Sequence, residues 1–176
     1  MTRTIYFVAA SVDGFIADAE GKLEWLTRFD GDAEIRAHYE AFLAGIGALA
    51  MGAETYLFLL AHGGPWPYPD RPTFVFTRRQ LQIPAGADVR LVNGKVATAR
   101  NAMLRAAGAR DLWLVGGGKL AAQFAEVGAI DEIHLGVAPS VLGAGTPLLP
   151  AALGPVTLRE VTRLGAGFVQ LRYGCE

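Results

Sequence analysis

Three consecutive glycines join a predicted strand directly to a predicted helix. Residues 112–115 are an apolar run, Gly116, Gly117 and Gly118 follow, and residues 119–127 have a helical pattern. Because glycine has no Cβ, backbone amides in such a turn can approach a bound group closely. The helix behind it presents unpaired N–H groups and the positive end of its dipole, a combination that commonly binds phosphate. A plain tight turn is the alternative interpretation of these glycines.

Predicted strands and helices alternate along the rest of the chain. Apolar runs predict strands, and helical spacing with Asp32 as an N-cap predicts helices. The strands are expected at 4–11, 46–51, 73–77, 89–92 and 132–137, and the helices at 33–44, 54–61 and 96–107. Residues 12–30 are predicted to be a long loop, and two β-like runs flank Gly165, Ala166 and Gly167 as a terminal hairpin. We therefore expect one α/β domain over residues 1–176, with three α/β/α layers, a mostly parallel sheet and a C-terminal antiparallel hairpin.

The composition excludes several classes of protein. The chain has 176 residues, 52% of them hydrophobic and 19% charged, with a formal net charge of −1 at pH 7. A nucleic-acid-binding domain is usually basic, and a membrane helix needs about 20 consecutive apolar residues. The lone Cys175 cannot form an internal disulfide. We expect a cytoplasmic protein that binds a small molecule rather than nucleic acid or membrane.

Four polar or glycine-containing motifs follow predicted strands. Ser11 and Asp13 come after the first strand, Gly52 after the second, and Thr77 and Arg78 after the third; the glycine turn follows the fifth. Ligands of parallel sheets bind beyond the carboxyl ends of the strands. Hydroxyls, guanidiniums and glycines at one edge suit an elongated anion such as a dinucleotide. A Gly-x-Gly-x-x-Gly sequence does not follow the first strand, so another fold than the Rossmann fold is indicated.

These motifs carry a resemblance to a known family. In order, they are SVDGFIA at 11–17, WL at 25–26, MGAETY at 51–56, VFTR at 75–78, VGGG at 115–118, DEI at 131–133, Pro139 and LGAG at 142–145. The chain resembles the dihydrofolate reductase-like superfamily, and more closely the RibD C-terminal-domain family. The resemblance implies a reductase that transfers hydride from NADPH to a pteridine- or pyrimidine-like heterocycle, and a homodimer.

The resemblance also implies roles for individual residues. It assigns the cofactor pyrophosphate to Gly52, Thr55 and the three glycines, and the adenosine 2′-phosphate to Thr77 and Arg78. The wall beside the nicotinamide and the substrate ring would be Ala10, Ser11 and Ile16, and the loop covering the site would hold Trp25 and Leu26. Residues beside these motifs are counted with the cofactor site, namely Arg79, Val115, Lys119 and Leu120.

At two positions the chain departs from the family pattern. Ala53 stands where the superfamily often has an arginine that contacts the 2′-phosphate, and Arg79 is the cation that could take over this contact. Gly116 stands where the riboflavin-pathway reductases commonly have an acidic residue. These departures motivate a second hypothesis, a nucleotide-binding or sensor protein without reductase activity. A scaffold subunit without a ligand is a third.

Two carboxylates are candidates for assisting protonation, which hydride transfer to a C=N bond requires. Asp13 follows the first strand, and an Asp-Gly turn is its alternative interpretation. Asp30 lies near the position at which dihydrofolate reductases have the carboxylate that contacts the substrate. Its alternative interpretation is a turn before the helix cap Asp32.

The histidines and the aromatic cluster have less specific interpretations. The three histidines show no metal-ligand spacing, so no metal is expected. His134 lies within an apolar strand and is interpreted as a hydrogen-bonded core residue. Most of the cluster around residues 66–76 is expected in the core, with Trp66 as the best candidate for an exposed ring that stacks on a flat ligand.

Overall fold

The computed structural model describes residues 2–62, 64–165 and 167–176. The strands are β1 (Thr4–Ala10), β2 (Phe15–Ala17), β3 (Ile46–Gly52), β4 (Thr73–Phe76), β5 (Val89–Val92), β6 (Asp111–Gly116), β7 (Glu132–Val137), β8 (Thr146–Pro147), β9 (Val156–Leu164) and β10 (Phe168–Cys175). The helices are α1 (Glu24–Thr27), α2 (Ala33–Ala44), α3 (Ala53–Ala61), α4 (Val96–Ala107) and α5 (Gly118–Glu126).

Eight strands form one mixed sheet in the order β5-β4-β3-β6-β1-β7-β10-β9. The first six in this order run parallel to one another, and β10 is antiparallel to both β7 and β9. Helices α4 and α5 pack on one face over Tyr6, Ala48 and Leu114. Helices α2 and α3 pack on the other face over Leu49 and Trp113. The predicted three-layer α/β/α fold with a C-terminal antiparallel hairpin is confirmed.

Helix α2 begins and ends as the sequence predicts. The Asp32 carboxylate accepts hydrogen bonds from the backbone N–H groups of Glu34 at 2.9 Å and Ile35 at 3.2 Å, which is the geometry of an N-cap. The terminal hairpin is also present, although Ala166 of its predicted turn lies outside the described residues.

The predicted long loop at 12–30 instead contains β2 and α1. Both are too short for a periodic pattern, and distant partners hold them in place. Phe15 pairs with Pro147 and Ala17 with Thr146 in the small β2–β8 sheet. The Ser11 N–H donates to the Phe15 carbonyl at 2.8 Å, and the Leu148 N–H donates to the Gly14 carbonyl at 3.0 Å. Segment 146–148 therefore fixes the chain that follows β1.

Charged side chains connect the starts of β6, β7 and the N-terminal segment. Arg3 contacts both Asp111 and Glu132 at 2.6 Å. Glu132 also accepts hydrogen bonds from Arg172 at 3.0 Å and pairs with His134 Nε2 at 2.8 Å. His134 is therefore hydrogen-bonded, as interpreted, but it is half-buried and lines a small cavity rather than lying in the core. Glu132 is the centre of the cluster.

None of the described helices is long and apolar enough to cross a membrane.

Strand β9 forms one edge of the main sheet and exposes Val156, Leu158 and Val161. The homodimer expected from the family resemblance stays a prediction, with this edge as a surface that a second copy could cover.

We predict that Glu132 makes the fold sensitive to acid. Burial opposes ionisation of Glu132, but hydrogen bonds from Arg172 and His134, with the charges of Arg172 and Arg3, outweigh it and lower the pKa from 4.5 to about 2. A lowered folded-state pKa adds stability that is complete above the unfolded-state pKa and is lost as the pH falls through the folded-state pKa. Between pH 4.5 and about 2, the free energy of unfolding should therefore fall less steeply in Glu132→Gln than in the wild type.

Urea denaturation at a series of pH values measures this difference. Glu160→Gln is the matched control, because Glu160 is 58% exposed and lies 3.6 Å from Arg172. It should keep the pH profile of the wild type. Identical slopes for Glu132→Gln and the wild type would contradict the assignment.

Candidate active site

The glycine turn brings two helix N-termini together at the carboxyl edge of the sheet. Gly52 precedes α3 and Gly117 precedes α5, and neither helix has a side-chain cap. A Cβ placed on Gly117 would lie 3.8 Å from Thr55 Oγ1, in the first turn of α3. Backbone N–H groups and a hydroxyl therefore converge at one place, which is a suitable arrangement for a phosphate or pyrophosphate.

The backbone itself requires the three glycines. Gly116 and Gly117 have positive φ values of 146° and 92°. A Cβ on Gly118 would lie 2.5 Å from the Pro147 carbonyl oxygen. Any other residue would strain the backbone at Gly116 and Gly117, and would clash with the Pro147 carbonyl at Gly118. The phosphate role stays a prediction, because the turn alone already explains why these residues are glycines.

A cavity of about 460 Å³ lies beyond the ends of β4 and β5. Its lining residues are Phe76, Thr77, Arg78, Val92, Asn93, Gly94, Lys95 and Gln123. Two exposed cations, Arg78 and Lys95, therefore face the same space, and within the described chain neither forms an ion pair. The sequence analysis missed Lys95, although its position between the end of β5 and the start of α4 was a usable signal.

Arg79 does not join Arg78 at this cavity. Its guanidinium forms an ion pair with Glu54 at 2.5 Å, and both side chains are largely exposed. Its backbone N–H donates to Thr77 Oγ1 at 2.9 Å. The structure therefore does not support the expectation that Arg79 replaces the arginine missing at position 53. The second cation beside Arg78 in this cavity is Lys95.

A larger, mainly apolar cavity of about 540 Å³ lies on the α2–α3 face of the sheet. Its floor includes Phe7 and Ala9 of β1 and Gly136 of β7. The lining residues from the helices and loops are Leu23, Leu26, Thr27, Asp30, Ile35, Arg36, His38, Tyr39, Phe58, Leu59, His62 and Tyr68, and the hairpin adds Leu164, Phe168 and Gln170. Its size and apolar walls are typical of a small-molecule site.

Asp30 is the one carboxylate among these described lining residues, and it lies exposed at the mouth of the cavity. Leu26 also lines the cavity, as expected for the covering loop. Trp25 does not: its ring packs against a buried cluster of Ala138, Leu164 and Phe168. The predicted contact of Trp25 with substrate is therefore not supported by this structure.

The Asp13 carboxylate holds two loops together. It accepts hydrogen bonds from Ser11 Oγ at 2.6 Å and from the backbone N–H groups of Gly143 at 2.7 Å and Leu142 at 3.1 Å. The bond from Ser11, helped by those from Gly143 and Leu142, lowers the pKa of Asp13 to about 2. This geometry favours the turn interpretation, because an ionised, fully engaged carboxylate is a poor proton donor.

The remaining predicted residues differ in burial, and the described cavities are not lined by them. Ala10 is buried at the end of β1, Ile16 is half-buried in β2, and Lys119 is exposed in the first turn of α5. Leu120 does not face a ligand site: its side chain is in the core and its N–H donates to the Gly117 carbonyl at 2.9 Å.

Two aromatic or apolar positions near the site are likewise core residues. Val115 packs on the α2–α3 side of the sheet. Trp66 is only 8% exposed and packs against Tyr56 and Tyr68, so its predicted role as an exposed stacking ring is wrong.

The fold agrees with the comparisons to known proteins. The family model of the RibD C-terminal domain matches residues 3–170, and the chain belongs to this family. It is 31% identical to the uncharacterized protein YwjB of Bacillus subtilis (strain 168), over 97% of each chain. A solved structure from Shewanella sp. PV-4 superimposes with a TM-score of 0.83 at 29% identity, covering 99% of both chains.

A more distant solved structure shows the same fold. Dihydrofolate reductase from Enterococcus faecalis, complexed with NADP(H), superimposes with a TM-score of 0.70 at 16% identity. The alignment covers 99% of this chain and 96% of that one. At this level of identity the likeness establishes the dihydrofolate reductase-like fold alone.

Proposed function

We propose that this protein is an NADPH-dependent reductase acting on a flat nitrogen heterocycle of the pteridine or pyrimidine class. The observation that carries the proposal is that the floor of the 540 Å³ cavity and the glycine turn both lie toward the carboxyl end of β1. Ala9 forms part of the floor of the 540 Å³ cavity, and the next residue, Ala10, ends the strand at the edge where the glycine turn lies. A heterocycle in the cavity and a dinucleotide on the edge would therefore be neighbours.

The chain's own residues fit a phosphorylated dinucleotide. The paired helix N-termini at Gly52 and Gly117, with Thr55 between them, suit a pyrophosphate. Arg78 and Lys95 provide two cations in one cavity, which suits the dianionic 2′-phosphate that distinguishes NADPH from NADH. When bound, NADPH would supply the hydride.

Asp30 is the residue that we assign to proton delivery. Reduction of a C=N bond leaves a nitrogen that must take up a proton, and a carboxyl group or a water held by it can provide one. Asp30 lies at the mouth of the cavity, where it can exchange protons with solvent. Asp13, tied to Ser11, Leu142 and Gly143, is left with a structural role.

Replacing the two cations should change the choice of cofactor. Arg78→Ala and Lys95→Ala should each weaken NADPH binding by about 1.5–3 kcal/mol, because each removes a charged hydrogen bond to the 2′-phosphate. NADH binding should hardly change. Titration with both nucleotides, followed by tryptophan fluorescence, measures the two affinities. Arg79→Ala is the matched control and should bind both like the wild type; equal losses for NADPH and NADH in Arg78→Ala would refute the assignment.

Removing the acid at the cavity mouth should slow reduction without affecting the cofactor. Asp30→Asn should lower kcat by about 10²–10⁴, the usual contribution of general acid catalysis. The assay follows oxidation of NADPH by the loss of reduced-nicotinamide absorbance, with a panel of dihydropteridines and aminopyrimidines as acceptors. Asp70→Asn, at an exposed loop carboxylate, is the control. Turnover by Asp30→Asn at the wild-type rate would exclude this role.

A nucleotide-binding or sensor protein without reductase activity is the second candidate. Ala53, in place of the arginine often present in the superfamily, favours it, because Arg79 is paired with Glu54 and does not replace that arginine. Turnover of any acceptor in the panel by the wild type would exclude this candidate.

A further inference from the structure

One polar side chain that lines the large cavity, Gln170, has an amide nitrogen without a hydrogen-bond partner in the part of the chain that the structure describes. Ala9 of β1 is paired with Gly136 of β7, and Gly136 is paired with Gln170 of β10. All three line the cavity. Ala9 and Gly136 have little or no side chain, so Gln170 is the first residue in this row that can reach a ligand. A Cβ on Gly136 would lie 3.5 Å from Gln170 Oε1, which shows that the amide extends over this glycine.

The amide nitrogen of Gln170 is buried and has no partner within the described residues. The residue is 6% exposed, and its Nε2 has no hydrogen-bond partner among residues 2–62, 64–165 and 167–176. A buried amide without a partner destabilises a protein, and most such groups in folded proteins are paired. A hydrophobic residue of similar size would avoid this cost. Because Gln170 also lines the large cavity, a ligand bound there can supply the missing partner.

Two of the neighbouring polar groups are already engaged. A second cavity of about 150 Å³ lies between α2 and the hairpin, and Gln170 and His38 line both cavities. On the side of the small cavity, His134 and Arg172 both bond to Glu132. Within the described part of the chain, His38 and Gln170 line both cavities and neither side chain forms a hydrogen bond; of the two, Gln170 has its donor and acceptor side by side.

We infer that Gln170 recognises the lactam edge of the substrate, that is, a ring N–H beside a ring C=O. This inference rests on the proposed function, because it concerns the ligand of the same cavity. A carboxamide offers an N–H donor and a C=O acceptor side by side, which is complementary to a lactam. The terminal torsion of glutamine is broad, so rotation of the amide can turn either atom toward a ligand.

Binding of two probes to two variants tests the inference. The probes are lumazine, which has lactam edges, and quinoxaline, a flat bicycle of similar size without carbonyl groups. Both are titrated calorimetrically into protein saturated with NADP⁺, which has no hydride to transfer to either probe. Gln170→Leu should bind lumazine about tenfold more weakly than the wild type, the expected effect of losing these hydrogen bonds, and quinoxaline equally well. Thr162→Val, on the neighbouring strand and lining only the small cavity, should match the wild type.

Thermal unfolding without ligand is the second measurement. Because Gln170→Leu removes an unsatisfied buried amide, its Tm should rise by about 2–4 °C while lumazine binding weakens. A residue with a purely structural hydrogen bond would give the opposite change in Tm. A lower Tm for Gln170→Leu would therefore overturn the inference.

The outcomes separate this inference from the proposed function. Wild-type protein that binds NADPH but binds lumazine no better than Gln170→Leu does would overturn the role of Gln170 alone. Wild-type protein that does not bind NADPH would overturn the proposed function, and the role of Gln170 with it. Tenfold weaker lumazine binding in Gln170→Leu, with NADPH affinity and quinoxaline binding unchanged, would support both.

Discussion

Parallel pairing of β1 with both β6 and β7 is the constraint on which the rest of the structure depends. The registers Tyr6↔Leu114 and Ala10↔Val137 align the carboxyl ends of the three strands at one edge. The glycine turn after β6 therefore lies beside the end of β1, and the helix dipole of α5 is directed to the same place. The large cavity has β1 and β7 as its floor, so a change in this pairing would separate the two halves of the site.

The charged cluster at the amino ends of the strands is paired internally, whereas within the described residues Arg78 and Gln170 are not. At the amino ends, Arg3, Arg172 and His134 satisfy Glu132, and the cluster stabilises the sheet. At the carboxyl ends and in the large cavity, Arg78 and Gln170 are available for a ligand. A buried amide nitrogen without a partner reduces stability in the free protein, and a ligand in the large cavity can offset this cost at Gln170.

The sequence predicts those parts of the structure that depend on local patterns. The positions of the main strands along the chain needed no partner information, and α2 was predicted with its Asp32 cap because capping is a local interaction. Elements β2, α1 and β8 were missed because contacts between distant segments stabilise them. The availability of Lys95 and Gln170 for a ligand depends on which distant groups lie nearby, as does the pairing of Arg79 with Glu54. No pattern within a short window contains that information.

A crystal structure of the protein with bound NADPH tests the central claim most directly, namely that a cofactor site and a substrate cavity meet at the end of β1. We expect the diphosphate against the amides around Gly117 and Thr55, and the nicotinamide beside Ala10 with its reactive carbon facing the 540 Å³ cavity. A nicotinamide directed away from that cavity, or a cofactor bound elsewhere on the sheet, would contradict the account.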